Sequence, residues 1–104
     1  MTSTFRTLGV SAPVADALAK RGITVPFAVQ TLVLPDALAG RDILAKSPTG
    51  SGKTLAFGLA LVEQLERGGA RPQALVLVPT RELAIQVTEE LRPLAAARGL
   101  RIVA

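Results

Sequence analysis

Eight consecutive residues, Ser47-Pro48-Thr49-Gly50-Ser51-Gly52-Lys53-Thr54, combine side chains whose joint chemistry is the binding of a phosphate chain. Gly50 and Gly52 let the backbone turn tightly and bring its N–H groups against an anion with no side chain in the way. Lys53 has the charge and the reach for the β- and γ-phosphates of a nucleoside triphosphate, and the hydroxyl of Thr54 suits a Mg²⁺ ion bridging the same oxygens. A helix beginning at Lys53 would add the positive end of its dipole. The general pattern for such loops has glycine where this chain has Ser47, which is also small. An ordinary glycine-rich turn is the alternative, so the flanking elements must decide.

A loop of this kind works between a buried strand and a helix. Asp42–Lys46 (DILAK) is a short, largely apolar strand candidate, and a helix is predicted from Lys53 to about Arg67, with Leu55–Val62 apolar nearly all round and therefore buried. Gly68 and Gly69 stop that helix. Ala74–Val78 (ALVLV) reads as a continuous apolar strand, covered on both faces as parallel strands are, and Pro79 ends it. A further helix starts at Arg81, with Leu83, Val87 and Leu91 facing the core and Pro93 limiting its regular part.

Upstream, Ser11 is placed to cap a helix from Ala12 to Arg21 that tolerates Pro13 in its first turn, turns Val14 and Leu18 to one face, and ends at Gly22. A second helix is predicted from Pro26 to Ala39, where Pro35 should kink or divide it and Gly40 should stop it. Arg101–Ala104 has the look of another strand's first residues. This order of elements predicts an α/β domain, a parallel sheet flanked by helices with right-handed crossovers, of which the chain holds only the first part.

Composition narrows the partners. The chain of 104 residues is 49% hydrophobic, enough apolar material for one small core. Its formal charge is +4, and nine of its twelve basic residues are arginine, whose planar fork suits phosphate groups; an anionic partner is expected. Cysteine and histidine are absent, which excludes disulfides, thiolate metal sites and histidine acid–base chemistry. No apolar run approaches the roughly 20 residues of a membrane span, so the expectation is a cytoplasmic protein with no membrane contact.

Three segments together resemble the DEAD-box family of superfamily 2 RNA helicases. GITVPFAVQ, Gly22 to Gln30, is similar to the family's Q motif, and Phe5 lies 17 positions before Gly22, where the family carries an isolated aromatic. The phosphate-binding loop is similar to motif I, and PTRELA, Pro79 to Ala84, to motif Ia. The chain departs from the Q-motif pattern at two positions: Phe27 stands where an alcohol usually follows the proline, and Ile23 where an aromatic is frequent.

The resemblance implies a partial RecA-like P-loop NTPase domain, with residues 1–31 as a Q-motif region and 32–104 as the first part of the ATP-binding domain. It implies ATP and Mg²⁺ as cofactors and RNA as a partner. Gln30 would read adenine, since a carboxamide donates to and accepts from its Hoogsteen edge at once. Phe5 would stack on the same base. Residues Ser47 to Thr54 would hold the phosphates, with Thr54 on the metal. In PTRELA, Pro79 ends the strand, Thr80 caps the helix and Glu82 complements its dipole. Pro79, Thr80 and Arg81 would touch the RNA backbone without reading its sequence.

Hydrolysis requires an acidic residue on Mg²⁺ and another to orient water. No apolar strand candidate ends in an Asp-Glu pair, so the expectation is a helicase whose catalysis needs residues beyond this stretch. Lys53 would contact the transition state, but the 104 residues alone would neither hydrolyse ATP nor unwind RNA. A DNA-directed superfamily 2 motor and a stand-alone nucleotide- or RNA-binding module are the alternatives.

Overall fold

The computed structural model describes residues 4–42, 52–66, 68 and 72–104. Among them are α1 (Ala12–Lys20), α2 (Ala28–Leu38), α3 (Lys53–Gln64) and α4 (Arg81–Ala97). Packing does not follow chain order: α4 lies between α1 and α3, and α2 packs on the other side of α3. The shared core contains Val14 and Leu18 of α1, Leu34 of α2, Leu55, Leu59 and Val62 of α3, and Val87, Leu91 and Leu94 of α4. Fully burying one such leucine stabilises by about 2 kcal/mol. Val14 and Leu18 are the pair that the spacing predicts, and the buried stretch of α3 falls within Leu55–Val62.

Helix ends follow local chemistry. Gly22, at φ +76°, lets α1 close with its own N–H donating to Ala19 O and that of Ile23 to Leu18 O, both at 3.0 Å. This paired closure satisfies two carbonyls that a helix end would otherwise leave open. The α2 and α4 ends repeat it at Gly40 and Gly99. Thr80 Oγ1 accepts from Leu83 N at 3.1 Å, and Glu82 stands in the first turn of α4, as expected. Ser11 takes the N-cap position of α1 but makes no cap bond; its Oγ and N–H both donate to Glu63 Oε1, at 2.8 and 3.2 Å, tying α1 to the end of α3.

Several expectations are corrected. Pro93 does not limit α4, which continues to Ala97. A helical proline leaves the carbonyl four residues earlier, here that of Glu89, without its helix donor; Leu91, Leu94 and Ala95 around the proline are buried, so packing holds the helix through it. Pro35 likewise leaves α2 undivided, with Leu34 beside it fully buried. Helix α3 ends at Gln64, short of Arg67, and Arg98 donates to its open carbonyls at Val62 and Leu65.

The parallel sheet is not seen among the described residues, which contain no strand. The candidate Asp42–Lys46 lies outside them except for Asp42. Ala74–Val78 and Arg101–Ala104 are described and form no ladder. Leu75 and Leu77, expected to be covered on both faces, are 83% and 84% exposed. A strand is defined by its hydrogen-bonded neighbour, and a central strand is covered by what packs on either face of the sheet. No such pairing exists among the described residues.

Candidate functional site

The start of α3 is the described end of the predicted phosphate loop. Gly52 is its N-cap residue, in the left-handed region at φ +86°. A Cβ there would stand 2.4 Å from Gln30 Nε2 and 2.8 Å from Phe27 Cδ2. Conformation and space both demand glycine. Lys53 opens the helix as an exposed residue, followed by the half-buried Thr54. Ser47, Pro48, Thr49, Gly50 and Ser51 lie outside the described residues.

The start of α2 meets the start of α3 through Gln30. Its Oε1 accepts the Phe27 N–H at 2.9 Å, and its Nε2 donates to Gly52 O at 3.1 Å. The first bond is half of a capping box; Phe27, at the N-cap, has no side-chain acceptor to complete it. A carboxamide carries two acceptor lone pairs and two N–H groups. The two protein contacts leave Gln30 one of each, on a side chain that is 2% exposed.

A cleft of about 840 Å³ opens over this junction. Its walls are Ile23, Val25, Phe27 and Gln30 before and on α2, Gly52 to Leu55 and Phe57 on α3, Val76–Val78, and Leu83, Gln86, Val87 and Glu90 on α4. The structure thus brings Gln30, Gly52, Lys53 and Thr54 to one cavity. Pro79, Thr80 and Arg81 are exposed at its border, in the stretch between the lining residues Val78 and Leu83.

Phe5 is not brought there. It is 3% exposed, and the turn that carries it, closed by Val10 N donating to Phe5 O at 3.0 Å, folds both residues into the core. Here the ring is enclosed by apolar side chains and does not line the cleft. Phe27, assigned no role from sequence, lines the cleft and is 56% exposed. The signal for it was an aromatic at a helix start, where a small polar residue is preferred.

Among the described residues no three His, Cys, Asp or Glu side chains gather as a metal site. Thr54 supplies one hydroxyl at the cleft. That is consistent with Mg²⁺, which takes few protein ligands and keeps phosphate oxygens and water for the rest. No helix among the described residues is long and apolar enough to cross a membrane.

A family model described as DEAD/DEAH box helicase matches residues 27–104. The chain is 45% identical over 103 residues to the ATP-dependent RNA helicase DeaD of Escherichia coli strain K12, covering 98% of this chain and 16% of that protein. It is 47% identical over 102 residues to DEAD-box ATP-dependent RNA helicase 36 of Oryza sativa subsp. japonica, covering 98% of this chain and 20% of that protein. Among solved structures it is similar to S. cerevisiae Dbp5 bound to RNA and ADP BeF3, with TM-score 0.86 and 31% identity over 92% of this chain and 25% of that one. A DEAD box protein from the hyperthermophile Methanococcus jannaschii gives TM-score 0.83 and 35% identity, over 91% of this chain and 26% of that one. The chain therefore spans 16% to 26% of the length of these four relatives.

Proposed function

The chain belongs to the DEAD/DEAH box helicase family, and from that premise we propose that it forms the ATP-binding part of a cytoplasmic ATP-dependent RNA helicase. The observation that carries the reading is the Gln30 bridge, which joins the start of α2 to Gly52 in the same cleft as Lys53 and Thr54. A nucleotide in this cleft meets the Gln30 carboxamide beside Gly52 and the lysine that opens α3.

In this reading the residues from Ser47 to Thr54 hold the phosphates. Lys53 balances their charge, and the positive end of α3 adds to it. Mg²⁺, held in part by Thr54, would neutralise charge on the phosphate oxygens. Gln30 reads adenine with the donor and acceptor that its two protein contacts leave unused. Hydrolysis asks for an acidic group on the metal and another to orient water, and the residues assigned here supply binding.

Thr80 and Arg81 lie at the start of α4, where helix N–H groups and the guanidinium favour a phosphate. We assign them, with Pro79, to the backbone of RNA, bound without regard to sequence; the solved relative that contains RNA supports this partner. Ala74–Val78 is assigned to a strand of the parallel sheet of a RecA-like domain completed in the whole protein, in keeping with the similarity to much longer solved chains.

The test is ATP titration of the full-length protein and its Lys53→Ala variant. Loss of ATP binding in the variant is expected, while undiminished binding would overturn the assignment of the loop.

A further inference from the structure

Three aromatic residues occur in the chain, all phenylalanine. Phe5 is enclosed in the core; Phe57, half-buried on α3, packs against that core and also lines the cleft; Phe27 lines the cleft and is 56% exposed. Exposure of Phe27 is unfavourable on two counts: it leaves apolar surface in water, and it occupies an N-cap position without offering an acceptor. The residue is nevertheless firmly placed. Its N–H is held by Gln30 Oε1 at 2.9 Å, and its Cδ2 stands 2.8 Å from where a Cβ on Gly52 would be. One edge of the ring therefore rests on the last glycine of the phosphate loop, while the exposed part borders the cleft. Ile23 and Phe27 both line the cleft.

We propose that Phe27 is the base-stacking platform of this cleft. The inference rests on the reading of the cleft as a nucleotide site and adds the residue that grips the base. Stacking on an aromatic face is tolerant of base identity, so Phe27 supplies affinity for the base while Gln30 supplies the choice between adenine and guanine.

The experiment uses the full-length protein and its Phe27→Ala, Phe27→Leu and Phe27→Trp variants, titrated with ATP, GTP and inorganic tripolyphosphate. Tripolyphosphate reports the phosphate loop without a base. Phe27→Ala is expected to weaken ATP by about five- to a hundred-and-sixtyfold, the range for losing one base–aromatic stack. Phe27→Leu, which keeps apolar bulk without a π face, should weaken ATP in the same direction. Phe27→Trp should retain ATP affinity, with its indole fluorescence quenched by ATP and not by tripolyphosphate. Across all three variants tripolyphosphate affinity and the ATP-to-GTP ratio should hold at the parental values.

Parental ATP affinity in Phe27→Ala or Phe27→Leu would overturn the proposal. So would a parallel loss of ATP and tripolyphosphate, the signature of a residue that only supports Gly52. If the parent protein binds tripolyphosphate but not ATP more tightly, the base platform is refuted and the phosphate reading stands; if it binds neither, both fall.

Discussion

Replacing Gly52 by alanine tests whether one residue serves both ends of the cleft. Two costs arise in the structure. At φ +86° an alanine enters the left-handed region, worth about 1–2 kcal/mol against it. Its Cβ would also stand 2.4 Å from Gln30 Nε2, too close for the amide to stay, so the bond from Nε2 to Gly52 O is lost or stretched; such a bond contributes about 0.5–1.5 kcal/mol. Gly22→Ala provides the control. It has φ +76° and nothing within 4 Å of the added carbon, so it carries the conformational cost alone. Both variants stiffen the unfolded chain alike, an offset of about 0.4–1 kcal/mol that cancels in the comparison. The same Cβ would meet Phe27 Cδ2 at 2.8 Å, so Gly52→Ala should be less stable than Gly22→Ala by at least about 1 kcal/mol. Urea unfolding of the two full-length variants measures the difference. ATP titration should show weakened binding in Gly52→Ala and parental binding in Gly22→Ala. Equal stability together with equal ATP affinity would refute the argument that Gln30 and Gly52 form one unit.

Three further variants probe the surrounding scaffold. Gly58→Ala places a Cβ 2.2 Å from Leu91 Cδ2 where α3 crosses α4; the helix preference for alanine, about 1 kcal/mol, is outweighed by overpacking of about 1–3 kcal/mol, so a lower melting temperature is expected, partly restored by Leu91→Val. Thr80→Ala removes the acceptor of the Leu83 N–H and should cost about 1 kcal/mol in denaturation, whereas Thr80→Ser should cost little. Arg81→Ala should weaken RNA binding to the full-length protein and reduce the slope of log affinity against log salt by about 1; an unchanged slope would remove Arg81 from the phosphate contacts.

What was legible in the sequence is what local chemistry determines. Val14 and Leu18, or Val87 and Leu91, sit one turn apart and face the core because helical spacing leaves no other arrangement. Gly22, Thr80 and Glu82 mark helix ends by backbone freedom, hydrogen bonding and charge. The junction of Gln30, Gly52, Lys53 and Thr54 was legible as separate motifs, although the bonds joining them were not, since Gln30 and Gly52 are 22 residues apart. The rest depends on distant neighbours. Whether Pro93 ends a helix depends on the core beneath it, and whether Phe5 or Phe27 lines the cleft depends on which one the fold encloses. Whether ALVLV is a paired strand depends on a neighbour. None of these is written in the local sequence.

The Gln30 bridge sets how the two ends of the cleft can influence each other. One amide holds the Phe27 N–H by its oxygen and the Gly52 carbonyl by its nitrogen, so the start of α2 and the start of α3 cannot move independently without breaking a buried bond. A base that draws on Gln30 must compete with these contacts or use the donor and acceptor they leave over. In the first case the loop is released as the base binds; in the second it is held more firmly, because hydrogen bonds in a chain polarise one another. Either way a ligand shifts the loop only by the difference in its affinity for the two arrangements. Phosphates that favour one arrangement of Gly52 therefore change base affinity, and a base changes phosphate affinity by the same factor. The coupling needs no moving domain, since both contacts belong to one side chain.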